Sequence, residues 1–415
     1  MSPRPLGRPR SAFITCSGGA EPHLADELTR LGAQEVEVSH LGVHCVLSEE
    51  LIWRVNAYSR LGNRVLIPIA EFEATERGAL YEAVKKVRWD WWIHTSQTIA
   101  VDASSVNSQM NHTHFIAQVV KDGVVDQLRE RFEERPSVDT TDPDLPINAR
   151  LFEDICTLSL DASGGRLHRR GYRQDSGRAP LKETLASLLN HHAGWRPDEP
   201  LIDLTCGSGT IIIEAALRAA RRPPNWARAK LGAGPGGFTV CRWRSHVQSR
   251  YEAWLERSPQ PSPLPCALWG SDINKRQIMR ATENAERAGV AELCHWTRGD
   301  LNELAPQAAA WGRARRKELI GASAGQHSSL NSNVEPRLGI VLMNPPYGER
   351  LGTASELEGF YQALGSTLKH QFAGFEAWLI VEEGSPWKSI GLKVQSKLPV
   401  RNGALKCLLI QVPLY

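Results

Sequence analysis

PLIDLTCGSGTIIIEAALRAARR, residues 200–222, decides the fold. PLIDLT is a short, continuous apolar run of the kind that fits a strand buried on both faces. TIIIEAALRAARR has the apolar repeat and the residue types of a helix, and the glycines of Cys206-Gly207-Ser208-Gly209 mark the change between the two. A strand that turns through glycines straight into a helix opens a parallel, doubly wound sheet. The alternation continues with ALWGSDI then KRQIMRATENAERAG, LGIVLMN then ELEGFYQALGSTLKHQF, and EAWLIVEE. LKVQSKLPV and ALKCLLIQVPLY, joined across Asn402-Gly403, read as an antiparallel hairpin on the sheet edge. SPQPSPLP (258–265) and GASAGQHSSLNSNVEPR (321–337) lack periodicity and read as surface loops.

Upstream the pattern is different. Around residues 11–60, AFITCSGG reads as a strand and EPHLADELTRLG as a helix closed by Gly32, while EVEVSHLGVHCVL reads as a hairpin. Around residues 61–160, RVLIPIAEF and QTIAVDASSV alternate like strands, and PINARLFED looks like a returning strand. Between them THFIAQVVKDGVVDQLRERF predicts a helix with Phe115, Val119, Val120, Val124 and Leu128 close to one face. Trp89, Trp91 and Trp92 in RWDWWIH read as packing residues.

With 415 residues the chain exceeds one ordinary core, so two or three domains are expected. A net charge of +3 does not by itself announce nucleic acid. No stretch reaches the ~20 unbroken apolar residues of a membrane span, and the basic start MSPRPLGRPRSA lacks the apolar core of a secretory signal. Eight cysteines without a CxxC pair argue against zinc and against a disulfide framework, which makes a reducing compartment, cytoplasmic or nuclear, the expected one, with the cytoplasm first.

The candidate chemistry sits where strands end. Asp203 closes PLIDLT, Asp272 closes ALWGSD, and Asp300 follows the next strand in TRGDL. Alone, each acid is more often a helix N-cap than a ligand. Three in succession at one end of an α/β sheet suggest a binding crevice, where one carboxylate could take ribose hydroxyls and another an adenine amine. The glycine turn lacks GK[ST], and Ile212 stands where a GxGxxG fingerprint needs its last glycine, which excludes both phosphate-loop forms. The fourth strand ends in Asn344-Pro345-Pro346-Tyr347. Two prolines fix two φ angles and remove two donors, so an amide, free carbonyls and a ring are presented stiffly. This tetrapeptide should occur by chance in about one chain in a thousand of this length.

Residues 165–415 resemble a class I S-adenosylmethionine-dependent methyltransferase of the amino-methylating, NPPY kind. DLTCGSGTIIIEAA together with LMNPPYGERLG is similar to the THUMP-domain RNA guanine-N2 methyltransferases, above all the RlmL-like ribosomal RNA group. VVKDGVVDQLRERFEERPSVDTTDPDLPINARL resembles the THUMP module, and the first block a ferredoxin-like domain. HRRGYRQDSGRAPLKETLA (168–186) resembles the linker and first helix leading into the catalytic domain.

The resemblance implies an α/β Rossmann-like methyltransferase domain at 165–415, seven-stranded with the terminal antiparallel hairpin. An α+β ferredoxin-like region (1–60) and a THUMP RNA-binding domain (61–164) would precede it. It implies S-adenosylmethionine held by Asp203, Cys206, Gly207, Ser208, Gly209, Asp272, Ile273, Asp300, Leu301 and Asn344, and no metal. Catalysis would fall to Asn344, Pro345, Pro346 and Tyr347. The substrate would be a guanine N2 amine, in ribosomal RNA first and transfer RNA second. Adenine N6, a protein glutamine amide and a non-catalytic RNA-binding assembly factor are the competing readings.

Such an amine is a poor nucleophile because its lone pair is delocalised into the ring. The Asn344 oxygen and the carbonyl following it could accept its two hydrogens and favour a pyramidal nitrogen, while Tyr347 offers its face to a flipped base. Cys206 reads as structural or cofactor-contacting, not nucleophilic. RNA would be met by three basic runs. These are Arg166, Arg169, Arg170, Arg173, Arg178 and Lys182, then RAARRPPNWARAK (218–230), then RARRK (313–317), with Tyr172, Trp226 and Trp243 as stacking or core residues.

Overall fold

The computed structural model describes residues 6–173, 181–259, 261–323, 337–346, 354–403 and 405–415. Two compact units emerge. The first comprises Met1–Cys16, Ala20–Leu167 and Asn225–Pro259; the second comprises Ser17–Gly19, His168–Pro224 and Gln260–Tyr415.

The first unit is built on one eight-stranded sheet. Its chain runs β1 (Arg10–Thr15), α1 (Glu21–Leu31), β2 (Gln34–Ser39), β3 (Gly42–Leu47), α2 (Glu49–Tyr58) and β4 (Arg64–Glu73). It continues through α3 (Arg77–Lys86), β5 (Thr98–Val106), α4 (Thr113–Phe132), β6 (Ser137–Val138), β7 (Leu145–Phe152) and β8 (Ile155–Asp161). Strand order is β2-β3-β1-β4-β8-β7-β5-β6. Gly32 ends α1 at φ 101°, a left-handed cap that glycine adopts without steric cost. The expected hairpin is β2–β3, with Ser39 opposite Gly42. β4 joins the halves of the sheet, pairing with β1 through Val65 and Leu66 and with β8 from Leu66 to Glu73.

Four of these elements were not anticipated: α2, α3, β6 and β8. The start signal of α2 is present, because the Ser48 side chain accepts the Leu51 N–H and Glu49 and Glu50 occupy the first turn. In α4 the buried face is Ile116, Val119, Val120, Gly123, Val124, Val125 and Leu128, whereas Phe115 is exposed. The expected stripe was therefore one residue off at its start. Trp89 and Trp92 are buried, and Trp89 donates its ring N–H to the Val84 carbonyl at 2.9 Å, which makes both packing residues.

The second unit opens with α5 (Glu183–His192), β9 (Pro200–Asp203) and α6 (Thr210–Ala219). The chain then contributes α7 (Trp226–Leu231) and α8 (Gln248–Arg257) to the first unit. There Tyr251 packs edge-on to Trp53 at 5.2 Å, and Trp254 lies 6.0 Å from Trp53. Arg228, buried, donates to the Ser163, Gly164, Gly236 and Gly237 carbonyls. Back in the second unit follow β10 (Ala267–Asp272), α9 (Lys275–Ala288), β11 (Cys294–Arg298), α10 (Leu301–Ser323) and β12 (Ile340–Met343). α11 (Ala354–Gln371), β13 (Glu376–Glu382), β14 (Ser396–Asn402) and β15 (Leu405–Pro413) complete it. Sheet order is β11-β10-β9-β12-β13-β15-β14. The first five strands are parallel and β14–β15 is the antiparallel edge hairpin. All four residues of β9 and of β12 are buried, as strands covered on both faces require. α10 runs through RARRK to Ser323, so residues 321–323 are helical and not loop. The rest of that expected loop, up to residue 336, lies outside the described residues.

Candidate active site

The parallel strands of the second unit end together, and their C-terminal tips wall a cleft of about 600 Å³. Ten expected residues line it: Asp203, Cys206, Gly207, Ser208, Asp272, Ile273, Asp300, Leu301, Asn344 and Pro346. Gly209 and Pro345 do not. Gly209 caps α6 at φ 82°, with Trp296 packed where a side chain would stand, and Pro345 is buried. Tyr347 lies outside the described residues.

The turn after β9 is shaped by its acids. Asp203 accepts the Thr205 N–H at 3.0 Å. Asp272 reaches across from β10 to accept the Gly207 N–H at 3.0 Å on one oxygen and the Asn274 N–H at 2.8 Å on the other. A carboxylate has about four acceptor directions, so Asp272 retains capacity for two hydroxyls. Asp300 accepts the Asn302 N–H at 2.8 Å, so it does serve the start of α10 while lining the cleft. Gly207 has φ 54° and open space where a Cβ would project. The turn therefore leaves room for a ligand to lie against backbone.

Burial pushes the Asp203 carboxyl up to about 8, against the pull of the Thr205 N–H and with the Asp272 charge adding to the rise. Unfolded, the group would lose its proton near 3.8, so between these values the folded state binds more protons. Its contribution to stability is complete at acid pH and is lost as pH rises through about 8. Asp203→Asn, melted without ligand, is expected to lose less stability than the native chain between pH 5 and pH 8. Parallel melting curves for the two would rule out this carboxyl as the titrating group.

Burial also holds the Cys206 thiol well above its ordinary range, reinforced by Asp203 and Asp272, so it supplies no thiolate. Asn344 follows Met343, the last residue of β12, and its Oδ1 is buried without a hydrogen-bond partner among the described residues. An unsatisfied buried acceptor in a binding cleft calls for a donor from a ligand.

Three acids suit a cofactor that carries a sulfonium, an ammonium, ribose hydroxyls and an adenine amine, and open backbone at Gly207 gives it a seat. The residues fit S-adenosylmethionine. Asp272→Ala is expected to weaken its binding on the order of a hundredfold, because two hydrogen bonds to a charged acceptor disappear. Calorimetry returning native affinity would take Asp272 out of the site.

Thr205, Thr210, Asn274, Gln277, Arg280, Leu181 and Phe360 also line the cleft and were not singled out from sequence. Gln277 and Arg280 lie in the first turns of α9, at helical spacing from Ile273, which is a readable signal. Leu181 and Phe360 arrive from elements distant in sequence and carry none.

The basic runs are partly structural. Arg170 pairs with Glu214 at 3.6 Å, both side chains fully buried, and Tyr172 donates to Glu214 at 3.2 Å. Arg316 is buried against the Asp198 carbonyl, and Arg313 donates to the Gln371 carbonyl at 2.7 Å. Trp243 is buried and Trp226 half-buried, so both belong to packing, not to an open stacking surface. Arg166, Arg169, Arg221, Lys230, Arg315 and Lys317 remain exposed, while Arg178 lies outside the described residues.

Comparison with known proteins agrees with this geometry. The RMKL-like methyltransferase domain matches residues 170–311 and 309–411, the THUMP domain 74–161, and the RlmL ferredoxin-like domain 11–66. A Synechocystis protein named as a candidate RNA methyltransferase is 37% identical over 408 residues, covering 98% of this chain and 97% of its own. A Syntrophotalea carbinolica protein named ribosomal RNA large subunit methyltransferase K/L is 39% identical over 415 residues. That alignment takes in 98% of this chain but 54% of its relative, so the chain spans about half the length of the K/L proteins it matches. Among solved structures, one from Clostridium difficile 630 superposes with a TM-score of 0.79 at 28% identity, covering 98% of this chain and 99% of that one. SMU.472, crystallised with S-adenosylhomocysteine, shares the fold at a TM-score of 0.80 and 23% identity, covering 98% and 99%. No helix among the described residues is long and apolar enough to cross a membrane. With a family match over most of the second unit and a relative aligned along nearly its whole length, the chain belongs to the RMKL-like methyltransferase family and uses S-adenosylmethionine as its methyl donor.

Proposed function

We propose that the protein methylates the exocyclic N2 amine of a guanine in RNA, with large-subunit ribosomal RNA as the substrate. The observation that carries the chemistry is the buried Asn344 Oδ1 at the end of β12, which has no hydrogen-bond partner among the described residues. S-adenosylmethionine, when bound, supplies an electrophilic methyl group. The work of this chain is to prepare the acceptor. Asn344 Oδ1 accepts an amine hydrogen, which draws the lone pair out of conjugation. It does not need to reorganise, because Pro345 follows it and stiffens the backbone that carries it. No strong base is required, since the amine becomes acidic on methylation and its proton passes to solvent.

RNA as substrate is supported by the THUMP match at 74–161 and by the relatives named as acting on RNA. Ribosomal RNA is favoured by the K/L names, and residues 11–161 are proposed as the part that engages it. Unmodified large-subunit ribosomal RNA, incubated with protein and S-adenosylmethionine and digested to nucleosides, should yield N2-methylguanosine by mass spectrometry. N6-methyladenosine as the only product would move the acceptor to adenine. In the same assay Cys206→Ala should keep its rate within a few-fold. A collapse of that variant with cofactor binding intact would point to methylation at carbon.

A further inference from the structure

We propose that Arg173 and Asn284 are positioning residues that brace the cofactor loop from outside the cleft, tying it to the segment that opens the second unit. The proposal rests on the reading of the cleft as the S-adenosylmethionine site. Arg173 Nη2 donates to Thr210 Oγ1 at 2.6 Å and to the Leu181 carbonyl at 3.1 Å. Thr210 and Leu181 both line the cleft; Arg173 does not. A second path runs on the other side of Gly209. Arg287 Nε donates to the Tyr172 carbonyl at 2.7 Å and its Nη2 to Asn284 Oδ1 at 2.7 Å, while Asn284 Nδ2 donates to the Ser208 carbonyl at 3.1 Å. Of the two neighbours of Gly209, Ser208 is thus wired to Tyr172 through Asn284 and Arg287, and Thr210 directly to Arg173.

The need for a brace follows from the loop itself. Gly207 and Gly209 both sit at positive φ and have no side chain to pin them, so ordering them costs more backbone entropy than at any other residue type. The brace is itself anchored. Arg170 and Tyr172 end on the buried Glu214, which also accepts from Ser187 at 2.6 Å, and Arg173 lies 3.5 Å from Glu183. A charged nitrogen that donates to a hydroxyl and to a carbonyl on the cleft wall fixes both at once.

The test uses the full chain, with S-adenosylhomocysteine titrated by calorimetry and melting followed without ligand. Arg173→Ala and Asn284→Ala should each weaken binding about tenfold, the loss expected for one hydrogen bond from a charged or buried donor. Thr210→Val should match Arg173→Ala, Thr210→Ser should restore affinity, and the double variant Arg173→Ala with Thr210→Val should be no worse than either. Glu183→Gln, which loosens the ion pair without touching Thr210, should lower the melting temperature and leave affinity within about twofold. Native affinity in Arg173→Ala, or an equal loss in Glu183→Gln, would reduce Arg173 to a purely structural residue and overturn the proposal. If Arg173→Ala does not fold, equal affinities for Thr210→Ser and Thr210→Val overturn it instead. A native chain that binds no S-adenosylhomocysteine would sink the cofactor reading, and the proposal with it.

Discussion

Asn344→Ala is expected to slow single-turnover methyl transfer by ~10²–10³, the usual effect of removing one preorganised partner of the transition state. Affinities for S-adenosylhomocysteine and for RNA should stay within a few-fold of native. The oxygen that is lost has no partner among the described residues, so its removal breaks no hydrogen bond among them. Its interaction strengthens as the amine nitrogen becomes pyramidal, so the loss belongs in the chemical step and not in ground-state binding. A near-native single-turnover rate with saturating RNA would end this mechanism, whichever base proves to be the acceptor.

The second large effect concerns Gly209. A Cβ built there stands 2.6 Å from the Trp296 ring and 3.0 Å from Ala281, and φ is 82°. Left-handed backbone costs a side-chain-bearing residue ~1–2 kcal/mol, and overpacking a filled site adds ~1–3 kcal/mol. Gly209→Val is therefore expected to lower stability in urea by about 2–5 kcal/mol and to abolish measurable cofactor binding. Trp296→Ala in the same chain should return part of the loss. A Gly209→Val protein with native stability and native affinity would show that Trp296 does not hold the turn.

The parallel sheet was legible because its strands are continuous apolar runs and its chemistry lies at their ends. Asp203, Asp272 and Asp300 could be placed by counting from PLIDLT, LWGSD and TRGD alone, and ten of the proposed residues meet in one cleft. The first unit was less legible. α3 has little apolar contrast beyond Leu80 and Val84, and Phe115 mimics a core position that Ile116 fills. Charge misled most. Arg170, Arg173, Arg228 and Arg316 look like a cationic surface in sequence, yet each is spent inside on carbonyls or carboxylates that only the tertiary fold brings near. A guanidinium offers five donors, and a run of arginines does not say whether those donors face phosphate or backbone.

The return of residues Asn225–Pro259 to the first unit sets an order of events during synthesis. When Leu167 leaves the ribosome, the eight-stranded sheet has all its strands but lacks α7 and α8, the second of which packs on Trp53. Those helices follow about 90 residues later, on the order of 5–20 s at ordinary elongation rates. For that interval Trp53, only 1% exposed in the finished protein, has no Tyr251 or Trp254 against it, and the nascent chain offers an apolar patch to chaperones. A chain cut before residue 225 would stay permanently in that state. The tertiary map thus predicts that removing the catalytic half harms the solubility of the half left behind.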